Sequence, residues 1–127
     1  MVFKKMLILV SLCVLSAANI SPHRDIVQGF ERGDARSISN HFNSSVELIF
    51  SDRSGVYAKA QAEQILRSFF VSNAPASGRF TYKNLHGSDR DNVQYFIGEL
   101  HTTRGIYRVT IYMKDRLIHQ MRIESND

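Results

Sequence analysis

The chain holds a single cysteine, Cys13, among 127 residues. That cysteine sits in an N-terminal stretch that reads as a removable leader. The chain left after cleavage then carries no thiol, which excludes disulfides and thiol catalysis and suits an oxidising compartment. Other signatures are missing too. There is no glycine-rich phosphate loop, no activated-serine motif and no internal repeat. His23, His41 and His86 are too scattered to form a metal site, whose ligands usually lie close in sequence. Asp89-Arg90-Asp91-Asn92 is acidic but lacks the twelve-residue calcium-loop pattern and reads as a turn. Basic residues are interspersed with acidic ones, so the stripe expected of a nucleic-acid footprint is absent. These gaps predict no cofactor and no metal.

What is present begins with the leader. Lys4 and Lys5 precede an apolar run, Met6–Leu15, and Ser16-Ala17-Ala18 follows with small side chains. Charge, apolar run and small-residue site in that order make a secretory signal, with cleavage after Ala18. The run is too short to span a bilayer as a helix, so no stable membrane span is expected after cleavage. Lipidation at Cys13 would need a small residue before it, and Leu12 stands there. The expected product is periplasmic or secreted, with one domain over 19–127. The formal net charge is +4, from 16 basic and 12 acidic residues; losing Lys4 and Lys5 leaves 14 against 12, or +2.

Ile26, Val27 and Phe30 share one face of a short helix ending near Gly33, a usual residue just past a helix end. Asp34 caps a second short helix, whose stripe is Ile38 and Phe42. Val46–Phe50 reads as a strand, Ser51–Gly55 as a turn and Val56–Tyr57 as a brief second strand. Lys59–Val71 is the clearest helix, with Ala62, Ile65, Leu66, Phe69 and Phe70 at helical spacing. Asn73–Gly78, with Pro75, is read as a linker. Four strands follow, Arg79–His86, Asn92–Thr102, Ile106–Lys114 and Leu117–Glu124, joined by short turns that imply antiparallel hairpins. Segregated helices and antiparallel strands make the fold class α+β, with a curved sheet wrapped around the long helix.

Asp25–Phe30, Asp34–Phe42, Ala62–Phe70, Tyr95–Leu100, Gly105–Val109 and Ile118–Glu124 carry a likeness of element order. In that order the chain resembles the nuclear transport factor 2-like (cystatin-like) cone fold, and within it the short exported bacterial domains of unknown function. The superfamily includes isomerases, dehydratases, ligand-binding domains and association modules, so the resemblance does not choose a function. Catalytic members place an Asp–His or Tyr–Asp set inside the cone, and no such set matches this sequence. The resemblance also implies a possible homodimer through the sheet.

Candidate site residues come from strand alternation at the cone's mouth. Tyr107, Val109, Ile111 and Met113 form one face, matched by Leu117, Met121 and Ile123. His119 falls on that stripe as its single polar member, able to act as acid, base or ligand. Two registers are open for the preceding hairpin. Pairing Leu100 with Tyr107 puts Phe96, Gly98 and Leu100 inside. Pairing His101 with Tyr107 instead turns Tyr95, Ile97, Glu99 and His101 inward, because a one-residue slip exchanges the faces. Only the second could bring Glu99 and His101 to acid–base work. It leaves Phe96, Leu100 and Tyr112 on the outer face as interface candidates. Pocket candidates are therefore His119, Glu99, His101, Tyr95 and Tyr107. The expected role is an exported, non-catalytic binding or interaction module for a small ligand or a protein. The alternatives are a small lyase, isomerase or hydrolase using those polar residues, and a dimeric structural protein of the envelope.

Overall fold

The computed structural model describes residues 22–88 and 92–126. The leader and the Asp89–Asp91 turn read from the sequence lie outside these. The elements run α1 (Pro22–Arg32), α2 (Ala35–Ser39), β1 (Phe42–Phe50), β2 (Ser54–Ala58), α3 (Lys59–Ser72), β3 (Pro75–Ser88), β4 (Val93–Thr102), β5 (Gly105–Lys114) and β6 (Leu117–Ser125). The six strands form one curled sheet in the order β2-β1-β6-β5-β4-β3. All neighbours are antiparallel except β1 and β6, which run parallel, so the sheet is mixed rather than wholly antiparallel. Helices pack on one face, giving the α+β cone expected from the pattern.

The start of the chain folds as its residues dictate. Gly33 ends α1 at φ 67°, a conformation that costs glycine little. The Asp34 amide donates to the Gly29 carbonyl at 2.8 Å. The Asp34 carboxylate then accepts from the amides of Arg36 and Ser37 and from the Ser37 hydroxyl. This satisfies donors that a helix start leaves unpaired. Those bonds, the Ser37 hydroxyl foremost, hold the Asp34 carboxyl below its ordinary value.

The concave side of the sheet is packed with side chains. Phe30 stacks on Phe80 with centroids 4.8 Å apart and meets Phe70 edge-on at 5.8 Å. Phe42, Val46, Leu48, Leu66, Leu100, Val109, Ile111, Met113, Ile118, Met121 and Ile123 are buried around them. Gly98 makes the stack possible: a Cβ there would run into the Phe80 ring. Pro75 pairs with Thr102, so the segment read as a linker is the start of β3, which shifts register before Phe80.

Two turns decide which side chains face the helices. Thr102 pairs with Gly105 across a two-residue turn at Thr103-Arg104, and Leu100 pairs with Tyr107. The first of the two registers is the one adopted. Gly105 has φ 146°, and the Thr102 hydroxyl donates to its carbonyl at 2.9 Å. At the next hairpin Lys114 pairs with Leu117 around Asp115-Arg116, both with positive φ. Positive φ at both central residues is the type I′ signature, whose twist suits a tight hairpin. The register of β6 then shifts between Tyr112 and Met113: Met113 pairs with Ile118, but Tyr112 pairs with Gln120. His119 is the extra residue of that bulge.

Candidate functional site

The register places the sequence-derived candidates differently from expectation. Phe96 and Leu100, proposed for the outer face, are core residues with 5% and 0% exposure. Tyr95, Glu99 and His101 lie on the opposite face of β4. The physical reason is the two-residue turn at Thr103-Arg104, which fixes every residue of β4 to the other side. Glu99 and His101 do meet, with His101 Nε2 and Glu99 Oε1 2.8 Å apart, but on the face turned away from the helices. His119 leaves the apolar stripe because the bulge breaks the two-residue alternation, and Ile118 takes the inward position. The His119 ring lies edge-on to Tyr112 at 6.2 Å, and Tyr112 lies 4.9 Å from Tyr95. Tyr112 therefore remains on the outer face, beside Tyr95 and His119.

Of the pocket candidates, Tyr107 faces the helices. It stands on β5 beside α3, where its ring meets Phe69 edge-on at 5.1 Å. Its hydroxyl donates to Asn73 Oδ1 at 2.7 Å. Asn73 is buried just past the end of α3, and its Nδ2 donates to the Phe69 carbonyl.

Under α1 the cone is closed. The space bounded by Ile26, Val27, Phe80, Phe96, Gly98, Val109 and Ile111 holds about 10 Å3, room for one water at most. Tyr107 instead borders a wider cleft of about 600 Å3 at the open end. There the last residues of β1 and β6 and the start of β5 meet α3. Phe50, Phe69 and Tyr107 give it aromatic faces, Phe50 and Phe69 lying 5.7 Å apart. Gln61, Gln64, Ser68 and Ser72 line it from α3. Spacings of three and four set these residues on one helical stripe. Asp52 and Arg53, adjacent in the β1–β2 turn, bring one charge of each sign.

The sequence reading missed this stripe. Its signal is the run of uncharged polar residues at helical spacing, while Lys59 and Arg67 fall off it. Two buried polar groupings were missed as well. Glu63 sits on the buried side of α3, three before Leu66 and seven before Phe70. It accepts from the Ser39 hydroxyl and pairs with Arg67 at 2.9 Å and Arg36 at 3.4 Å. The Ser39 bond above all, with both arginines, holds the Glu63 carboxyl below its ordinary value although burial opposes this. His41 Nε2 lies 2.8 Å from Asp25 Oδ2, tying the start of β1 to α1. Both are internal ties between elements, away from the cleft lining. Among the described residues no group of three His, Cys, Asp or Glu could hold a metal ion. Among the same residues no helix is long and apolar enough to cross a membrane.

Comparison with known proteins agrees with this architecture. A crystal structure of a DUF4783 family protein from Bacteroides ovatus superposes with a TM-score of 0.69 at 30% identity, covering 81% of this chain and 94% of that one. A second, from Bacteroides uniformis, gives 0.70 at 26% identity over 81% and 95%. A ketosteroid isomerase-like protein from Erwinia carotovora atroseptica gives 0.61 over 84% and 92%, and at 10% identity it shows the fold alone. No curated protein matches significantly. The pattern of one family, described as a domain of unknown function (DUF4783), matches residues 23–124. With the cone fold and these relatives, the chain belongs to the DUF4783 family, within the nuclear transport factor 2-like fold.

Proposed function

We propose that the protein is an exported, non-catalytic binding module whose ligand surface is the cleft between α3 and the open end of the sheet. The observation that carries this is the division of space. The interior under α1 is filled, while the volume at the rim lies in the range, about 300–1,000 Å3, that accommodates small ligands. Acid–base chemistry needs polar groups converging within hydrogen-bond reach in one site. Glu99 with His101, and His119, stand on the other side of the sheet from the cleft. Export rests on the leader, Met1–Ala18.

A fragment screen read by amide NMR shifts tests the role of the cleft. Shifts centred on Gln61, Ser68 and Tyr107, with the ligand recovered unchanged, are expected. Turnover of a ligand that is lost in His119→Ala or Glu99→Gln would instead establish the enzyme reading. Cell fractionation with intact-mass analysis tests export, which requires an envelope or secreted product beginning at Asn19.

A second interaction surface is favoured by the aromatic group on the outer face. Tyr95 is 41% exposed and lies against Tyr112, which in turn meets His119. Aromatic side chains of this kind are enriched where proteins meet. A second copy of the chain is the partner implied by the resemblance. Light scattering should then give a dimer mass that falls to that of a monomer in Tyr95→Ser with Tyr112→Ser. A monomer at high concentration in the unaltered protein removes this reading.

A further inference from the structure

Resting on the reading of the cleft as a binding surface, we infer that its ligand is a neutral saccharide. The lining selects by chemistry. Gln61 and Gln64 are exposed side-chain amides, and Ser51, Ser68, Ser72 and Ser125 are hydroxyls. Amides and hydroxyls each donate and accept, which matches a ligand whose own groups are hydroxyls that do both. An anionic ligand would call for a surplus of cations, and Arg53 is offset by its neighbour Asp52. A lipid tail would need a deep apolar hole, and the apolar space under α1 holds about 10 Å3.

The aromatic residues fit the same ligand class. Phe50, Phe69 and Tyr107 follow one another at 5.7 and 5.1 Å between centroids, forming a row of rings beside the polar stripe. Ring faces carry negative charge density, and the C–H faces of a pyranose are weakly positive. The rings are inclined at 36° and 82° to one another, so a sugar ring can lie against one of these faces while its hydroxyls reach the α3 stripe. A peptide fits less well. The cleft is walled by a helix and by strand ends, and the open edge strands, β2 and β3, are outermost in the sheet. Strand addition, which supplies most of the affinity in extended-peptide recognition, needs such an edge.

The test uses an array of neutral oligosaccharides built from hexoses and N-acetylhexosamines, with a random decapeptide library in parallel. The best binder from each is then titrated by NMR. Gln61→Ala with Gln64→Ala is the cleft variant: both positions are exposed, and alanine favours helix. Glu99→Gln is the control on the other face. A neutral oligosaccharide is expected to shift cleft amides. Losing two hydrogen bonds should weaken it about tenfold in the double variant and not in the control. Saccharide binding untouched by the double variant overturns the inference, because the site lies elsewhere. A decapeptide that shifts the cleft amides, with no saccharide binding, overturns the ligand class and leaves the cleft as a binding surface. Silence at the cleft amides from both libraries and from the fragment screen overturns both readings.

Discussion

The Tyr107 hydroxyl donates to Asn73 Oδ1 at 2.7 Å and so joins β5 to the end of α3. The bond spans 34 residues of sequence and closes one corner of the cleft. Asn73 is buried, so Oδ1 has little access to water when its donor is removed. Tyr107→Phe keeps the ring against Phe69 and deletes only the hydroxyl. A loss of about 1–2 kcal/mol is expected, the ordinary cost of leaving a buried acceptor unsatisfied. Urea unfolding of the two proteins measures it, through a lower midpoint at unchanged slope.

Glu63 makes acid stability predictable in sign. Its folded carboxyl is held below the ordinary value of 4.5, first by the Ser39 hydroxyl and then by Arg36 and Arg67. A depressed carboxylate contributes stability above its unfolded value and loses it as pH falls through the folded value. Ser39→Ala removes the largest cause. Its destabilisation should therefore be full at pH 7 and shrink as pH falls below 4.5 and through the depressed folded value. Melting temperatures of both proteins across pH 2–7 test this, and a difference independent of pH would contradict it.

The helices and the concave face were legible in the sequence because they rest on periodicity. Leu66 and Phe70 on α3, and Val109, Ile111 and Met113 on β5, are buried as their spacing requires; Phe42, read with Ile38 as the stripe of the second helix, instead opens β1 because α2 ends at Ser39. The faces of β4 and β6 were not, because single residues at turns decide them. Gly105 could have been the left-handed residue of a three-residue loop or, as found, the strand residue after a two-residue turn. Nothing inside β4 separates these, since Ile97 and Phe96 are both apolar. The bulge at His119 was hidden for a similar reason: Leu117 and Ile118 are equally good inward residues, and only the Asp115-Arg116 turn selects the second. The cleft stripe was not legible by the same signs, because Gln61, Gln64, Ser68 and Ser72 carry no charge and no ionisable group marks them as a site.

Glu99 and His101 offer a contrast to Tyr107. The two are in contact at 2.8 Å, yet their side chains are 44% and 29% exposed. Exposed polar contacts of this kind contribute about 0–1 kcal/mol, even between charged partners. His101→Ala is expected to change unfolding free energy by less than about 1 kcal/mol and to leave ligand shifts at the cleft unaltered. A larger loss would place the pair within a surface that is covered in solution, which the dimer measurement would then have to show independently.

Gly98 is the backbone position on which the aromatic core depends. The Phe80 ring lies where its Cβ would be, and Phe80 in turn stacks on Phe30. Gly98→Ala forces that ring aside in a region with almost no spare volume. Overpacking of this kind costs about 1–3 kcal/mol. Phe80→Leu in the same chain should relieve part of it, so the double variant is expected to lose less than the two single losses combined. Additive losses would mean that the clash is absorbed elsewhere.

The β5–β6 hairpin yields a prediction of the opposite sign. Asp115 and Arg116 take φ of 52° and 66°, the left-handed region at both central positions of the turn. Side chains make that conformation unfavourable by about 1–2 kcal/mol per residue, whereas glycine adopts it without strain. Asp-Gly is among the preferred pairs for this turn. Arg116 is exposed, and its own contribution to packing is correspondingly small. Arg116→Gly should therefore stabilise the protein by up to about 1 kcal/mol, after the larger entropy of glycine in the unfolded chain is offset. The gain depends on the Lys114–Leu117 pairing, so it also reports on the bulge that turns His119 outward. A rise in melting temperature with retained Tyr112–His119 proximity by NMR supports this turn and register. A fall would mean that the hairpin closes by another turn, which would reopen the question of where His119 points.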